Sequence, residues 1–376
     1  MNWTLSRKET SAMKGFSIMC IVLHNLLHLL HPLVKENEFI YNYNRRAYWM
    51  WDHIVNLHHN VIGDILSFFG WYGVPIFIFL SGYGITKKYE SDKRTPEENS
   101  WWGFFSYNYS KLWFLMIPAF LLYVLFGTTI YDKSFEWDAI LAQCTMTINF
   151  MCSPKSIDPG VFWYFGLTLQ LYLVYRLLLH KKSRMFFILI SFTLIFVSVT
   201  WSAAILPHEN LKQQPSFEYF SHNCIRWFLP FVMGCCWAKI PENKTESKPL
   251  FWLGVLVFSI AVLIGCSFHQ KLWLLTPAFA VFVIISWVKL IQPFDWIMKA
   301  GCWLGALSAY IFAIHPLIRM FFADSIIEKD ELLMHADAWL MVMLYVVATL
   351  AAAWVYQWIC ERIINRYRKS VSFKKK

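Results

Sequence analysis

Ten apolar runs divide the chain, at 14–33, 62–83, 108–127, 160–179, 186–206, 221–238, 249–267, 272–291, 301–323 and 338–360. About 20 apolar residues are what a helix needs to cross a hydrocarbon core about 30 Å thick. The pattern therefore predicts an all-α integral membrane protein with about ten transmembrane helices. Several runs contain Pro or Gly, which neighbouring helices must accommodate. The first run carries no A-x-A cleavage pattern after it and is read as a span, not as a removed signal peptide. There is no internal repeat, and low complexity is confined to the Lys374-Lys375-Lys376 tail. Residues 1–376 are expected to form one transmembrane domain.

An even number of spans puts both termini on one side, and the basic residues say which. On the side of the termini 24 Lys and Arg lie in the loops, the tails and the adjoining ends of the runs, against 8 on the other side. The positive-inside bias makes the termini cytoplasmic. Composition agrees with a bilayer: 57% of residues are hydrophobic, 19% aromatic and 15% charged, with a mean hydropathy of +0.42. A soluble domain carries about 25% charged residues, so the composition argues against an ordinary soluble globule, and disordered, collagen and coiled-coil classes are excluded. The net charge of +10 is accounted for by the cytoplasmic face. The basic C-terminal tail is too short to argue for nucleic acid, and contact with anionic lipid explains it more simply. The nine cysteines are scattered without metal-ligand spacing, so no metal is expected. Cys144 and Cys152 lie in one outward loop and either pair in an oxidising compartment or stay reduced.

Ionisable groups at bilayer depth are costly and are functional candidates by default. In the first run Lys14-Gly15 is followed by His24, His28 and His31, spaced i, i+4 and i+7 on one helical face. His24 lies about 15 Å along the helix from Lys14, near mid-membrane, where it suits a base for a hydroxyl or a step in a proton path. His28 and His31 approach the outer interface. Arg226 is always charged and needs an anion or carbonyl partner. His315 precedes Pro316, which frees a backbone carbonyl that the imidazole could satisfy. Arg319 is placed to snorkel outward, without a further role. Ser81-Gly82 suits close helix packing better than nucleophilic attack. In the outward segment 33–61, Trp49, Trp51 and His53 form either a sugar-stacking platform or an interfacial anchor.

Four segments carry a resemblance, and a fifth echoes it. Lys14-Gly15 with an apolar run to His24 resembles the opening of the bacterial membrane-bound acyltransferase family 3. Gly73-Val74-Pro75-Ile76-Phe77-Ile78-Phe79-Leu80-Ser81-Gly82-Tyr83 is similar to that family's "GVPLFFVLSGF" signature and is the most specific segment. Phe162-Trp163-Tyr164-Phe165 with Gln170-Leu171-Tyr172 resembles its "WFL…Q-x-Y" helix, and Arg226-Trp227-Phe228-Leu229-Pro230-Phe231 with Gly234 its "R-x-x-x-F-x-x-G" helix. Ser308 to His315-Pro316 echoes a later "SY-x-x-YL-x-H" helix, with Ala309 and Phe312 in place of two tyrosines. Two departures stand out. Nine residues separate Lys14 from His24 where the family usually has ten; nine leave the two about 80° apart around an ideal helix, and Asn25 takes the usual position. Before Pro118, Lys111 stands alone, with Leu112 and Leu115 where the family has paired arginines.

The resemblance implies acyl transfer from cytoplasmic acyl-CoA, most often acetyl-CoA, to a hydroxyl of an extracytoplasmic or cell-surface polysaccharide. His24 is then the catalytic residue, either as general base or as transient acyl carrier. Lys14, Ser81, Lys111 and Arg226 are the expected contacts to donor phosphates or oxyanion. Trp163, Gln170, Tyr172 and His315 are the expected supporting residues. Acyl-CoA is a co-substrate; no Rossmann or P-loop glycine pattern suggests a permanently bound cofactor. The implied setting is multi-pass in the bacterial cytoplasmic membrane, with bilayer lipid, a glycan acceptor and any relay enzyme in trans as partners. The competing expectation is a glycan exporter with a histidine proton relay, or a non-catalytic envelope partner.

Overall fold

The computed structural model describes residues 2–29, 39, 41, 49–56, 61–90, 99–151, 157–205, 215–241, 247–327 and 336–373, and no strand occurs among them. Helix α1 (Arg7–Leu27) begins ahead of residue 14 because Ser6 and Glu9 form a capping box. The Ser6 hydroxyl accepts from the Glu9 N–H at 3.2 Å, and the Glu9 carboxylate accepts from the Ser6 N–H at 2.7 Å. Two of the helix's four unpaired N–H groups are thereby satisfied. His31 lies outside the described residues.

Two short helices, α2 (Trp49–Val55) and α3 (Val61–Phe69), precede a single tight turn that leads into α4 (Gly73–Tyr89). The run expected at 62–83 is thus α3 and α4 joined, apolar from Val61 to Tyr89. Then come α5 (Trp101–Ile130), α6 (Trp137–Cys144) and α7 (Trp163–Val174), the last continued by one wide turn to Leu179. The second half contains α8 (Arg184–Ile205), α9 (Pro215–His222), α10 (Cys224–Ala238), α11 (Pro249–Phe268), α12 (Thr276–Ile291), α13 (Asp295–Ile327) and α14 (Ala336–Phe373).

Among the described residues, eight helical segments are long and apolar enough to cross a membrane. The other two expected runs are shorter here. In α8 the apolar stretch is Arg184–Thr200, and the run expected at 221–238 splits at Asn223 into the end of α9 and the 15-residue α10. The split has a visible cause: the Cys224 N–H donates to Gln170 Oε1 at 3.0 Å, so α7 caps the start of α10. The fold is that of an all-α membrane protein. Of the expected cysteine pair, Cys152 lies outside the described residues. Cys144 closes α6, where burial pushes its thiol above the ordinary range.

Helix α1 lies at the centre, packed lengthwise on α13 and flanked by α3, α4 and α12. Its first turn is tied to α12 by the buried pair Glu9–Lys289, 2.7 Å apart, with Lys289 also donating to the Thr4 carbonyl at 2.8 Å. Neither charge is left uncompensated, which burial at this depth requires. Helices α4 and α10 cross at Gly82 and Gly234. A methyl group on Gly82 would run into the Phe231 carbonyl, and one on Gly234 into the Phe79 carbonyl. That is the close backbone approach small residues permit in membrane helices. It sets the angle at which α4 presents Ser81 to the space between α1, α5 and α7.

Candidate functional site

A cavity of about 300 Å³ lies among α1, α4, α5, α7 and α13. Three lysines from three helices line it: Lys14 of α1, Lys88 near the end of α4 and Lys111 of α5. No carboxylate lies among the described residues that line it. Three ammonium groups in one partly enclosed space repel one another and attract a polyanion. Lys88 rests on the Tyr107 ring, with Nζ 3.5 Å from the centroid. Beside it Asn108, almost fully buried, donates to the Tyr89 hydroxyl at 2.9 Å and to the Phe104 carbonyl at 2.7 Å.

Deeper in, one wall is polar, with Ser81, Tyr164, Thr168 and Tyr172 all on the lining. The Ser81 hydroxyl is in polar reach of both phenols. Apolar side chains complete the lining, among them Val74, Phe77, Leu115 and Phe312, the last packed on the Tyr164 ring at 5.1 Å. Along α1 the lining extends from Lys14 to Ile21. Ile21 is about 10 Å up the helix from Lys14 and one turn short of His24.

His24 is buried. Its Nδ1 lies 2.7 Å from the carbonyl oxygen of Ser67 on α3. A carbonyl can only accept, so Nδ1 carries the proton and the neutral ring holds its lone pair on Nε2. The turn after α3 packs directly on α1 at this residue: a Cβ at Gly70 would stand 2.6 Å from His24 Cβ and 2.7 Å from the Cys20 carbonyl. The His28 ring follows, 4.2 Å from that of His24. Asn25 turns the other way and joins α13, where Arg319 donates to its carbonyl at 3.3 Å and to its side-chain oxygen at 3.2 Å.

The structure therefore brings Lys14, Ser81, Lys111 and Tyr172 to one cavity, with His24 one turn beyond its end. Trp163, Gln170, Arg226 and His315 are not among its lining residues. Arg226 lies over the Trp273 ring at 4.3 Å and the Trp227 ring at 5.3 Å. Trp163 stacks on Trp227 with centroids 5.5 Å apart. Gln170 spends both ends of its amide on the α9–α10 junction, donating to Asn223 Oδ1 at 2.8 Å and accepting from Cys224 N–H. His315 is fully buried behind Phe312, and its Nδ1 lies 3.0 Å from the Phe312 carbonyl and 3.1 Å from that of Ile311. Residue 312 is the carbonyl that Pro316, lacking an N–H, leaves without its helical donor.

Sequence reasoning passed over three contributors. Lys88 reads as one more surface charge, and only the α4–α5 packing turns it inward. The Ser67 carbonyl is backbone and leaves no mark in a sequence. Asp64, buried on α3, stands inside an apolar run where an acidic residue was the available signal.

Long apolar helices thus surround a lysine-lined cavity, with a histidine held by its Nδ1 one turn beyond the cavity's end. Residues 9–358 match the family model of an acyltransferase domain, that of acyltransferase family 3, and the chain belongs to this family. No curated protein and no solved structure matches it. The protein is a multi-pass membrane acyltransferase.

Proposed function

We propose that the protein moves an acyl group, the acetyl group first among candidates, from cytoplasmic acyl-CoA to a hydroxyl of an extracytoplasmic polysaccharide. The observation that carries this reading is the cavity: its three lysines and its course along α1 toward His24. CoA presents phosphates followed by a thin pantetheine arm. Lys14, Lys88 and Lys111 suit the phosphates, with Lys88 taking the place left by the family's second arginine. The polar wall of Ser81, Tyr164 and Tyr172 suits the amides of the arm, directing the thioester to the Ile21 end.

His24 acts there through Nε2. As a general base it accepts the hydroxyl proton while the oxygen attacks the thioester carbonyl; the C–S bond then breaks and the imidazolium returns the proton to the departing thiolate. As a nucleophile it carries the acyl group between two such steps. The excess of basic residues on one face supports cytoplasmic termini and ten crossings, and membership of a bacterial family supports residence in the bacterial cytoplasmic membrane, with the acceptor reaching His24 from the outside. The test is acetyl-CoA consumption by the solubilised protein supplied with envelope glycan, wild type beside His24→Ala. Release of CoA by the wild type alone supports the reading. Equal release by both would remove His24 from the chemistry, and neither binding nor turnover by the wild type would leave glycan export as the better account.

A further inference from the structure

Helix α3 orients two imidazoles, and the proposed function uses one. Three residues before Ser67, whose carbonyl holds His24, Asp64 lies on the same buried face. Its Oδ2 is 2.7 Å from Nδ1 of His53 on α2. The carboxylate is 1% exposed and the histidine 15%. Met50, fully buried one turn before His53, packs with Phe68 of α3, so α2 is seated by its apolar side while Trp51 points away, exposed. The carboxylate accepts from Nδ1–H and so fixes the orientation of the His53 ring, whose second nitrogen is Nε2. This is the carboxylate–imidazole pairing by which a histidine is oriented as base toward a hydroxyl in Ser-His-Asp sites. Along α3 the two anchoring positions are about 4.5 Å apart, and His53 comes from the segment on the side away from the lysine cavity.

We propose that His53, held by Asp64, is the base that takes the proton of the acceptor hydroxyl, and that His24 is the acyl carrier between donor and acceptor. The proposal rests on the acyl-CoA reading above and settles its open choice for His24. In the first step His24 Nε2 attacks the thioester carbonyl, the C–S bond breaks, and CoA leaves as thiolate, protonated by cytoplasmic water. In the second, His53 Nε2 takes the hydroxyl proton as the oxygen attacks the acyl carbonyl. The N–C bond breaks, His24 returns with its Nδ1–H still on Ser67, and His53 releases its proton outward. Two bases aimed by one short helix would be redundant for a single proton transfer; they divide naturally between two half-reactions.

The test separates those halves. Without acceptor, a carrier histidine exchanges labelled CoA into acetyl-CoA. The expected result is exchange in wild type, His53→Gln and Asp64→Asn alike, within about twofold, and none in His24→Ala. In cells that natively make the protein, with the gene deleted and complemented, alkali-released acyl groups on the surface glycan should fall at least about a hundredfold for His53→Gln, the loss expected for a general base. Imidazole added to membranes bearing His53→Ala should restore part of the transfer. Glycan acylation by His53→Gln at the wild-type level would overturn the proposal, as would loss of exchange and transfer together in both α3-side variants, which is what a mere latch between α2 and α3 predicts. Acetyl-CoA consumed by the wild type with no exchange would overturn the carrier step alone. A wild type that consumes no acyl-CoA would remove the underlying function with it.

Discussion

His24 and His315 are two histidines buried in apolar helices, each with Nδ1 about a hydrogen bond's length from backbone carbonyl oxygen. The partner separates them. His315 bonds its own helix, three and four residues back, at the carbonyl that Pro316 leaves without a donor. Its Nε2 meets no hydrogen-bonding group among the described residues. His24 bonds a different helix, across a gap that Gly70 keeps narrow, and its lone-pair nitrogen is held one turn beyond a basic cavity. His315 thus repairs its own helix, whereas His24 is held from outside by another element.

The comparison breaks most easily at its functional end. His24→Ala should lower acyl-CoA turnover by about 10²–10⁴-fold, with the detergent-solubilised variant still eluting as a folded protein. His315→Ala should leave turnover per folded molecule within about twofold. A comparable collapse of activity in both would erase the distinction. Next in size, Gly70→Ala should cost turnover about tenfold or more. The added methyl must displace His24 Cβ or the α1 backbone, and about 1 Å of misplacement at a reacting group is worth that much. The donor's binding should not change, so the loss should be read in kcat.

Lysine changes sharpen the opposite side. Lys88→Ala and Lys111→Ala should each raise KM for acyl-CoA by about three- to tenfold with kcat nearly constant, since the proposed phosphate contacts would hold the donor in ground and transition state alike. Added salt should narrow the difference from wild type. The smallest effect concerns stability. His315→Ala should destabilise the protein by about 1 kcal/mol, the ordinary net worth of a hydrogen bond, read as a lower Tm in detergent. Pro316→Ala restores a backbone donor to the Phe312 carbonyl, so the double variant should lose less than His315→Ala alone.

Much of this was legible in the chain. Run lengths and the basic-residue imbalance are sums over many positions, so they survive local exceptions. They give an all-α membrane protein, and eight of the ten expected runs coincide with helical segments long and apolar enough to cross a membrane. The run at 221–238 failed as one helix because Gln170, fifty residues earlier, takes over the capping of Cys224. No window of local hydropathy contains that contact. Lys14, Ser81 and Tyr172 were each singled out by type and motif, and Lys88 was counted only as charge.

Charge and apolar length are properties of the chain, so the placing of ionisable groups inside apolar runs is read from the residues alone. The sequence could not say which of them meet. Lys14, Lys88 and Lys111 share a cavity only because three helices converge on it, and His24 has an oriented lone pair only because α3 brings a carbonyl to its other nitrogen. Hydrogen bonds act over about 3 Å, and which groups come within that distance is decided by how helices cross. Backbone partners such as Ser67 and Phe312 carry no side-chain signature at all, so they enter with the fold or not at all.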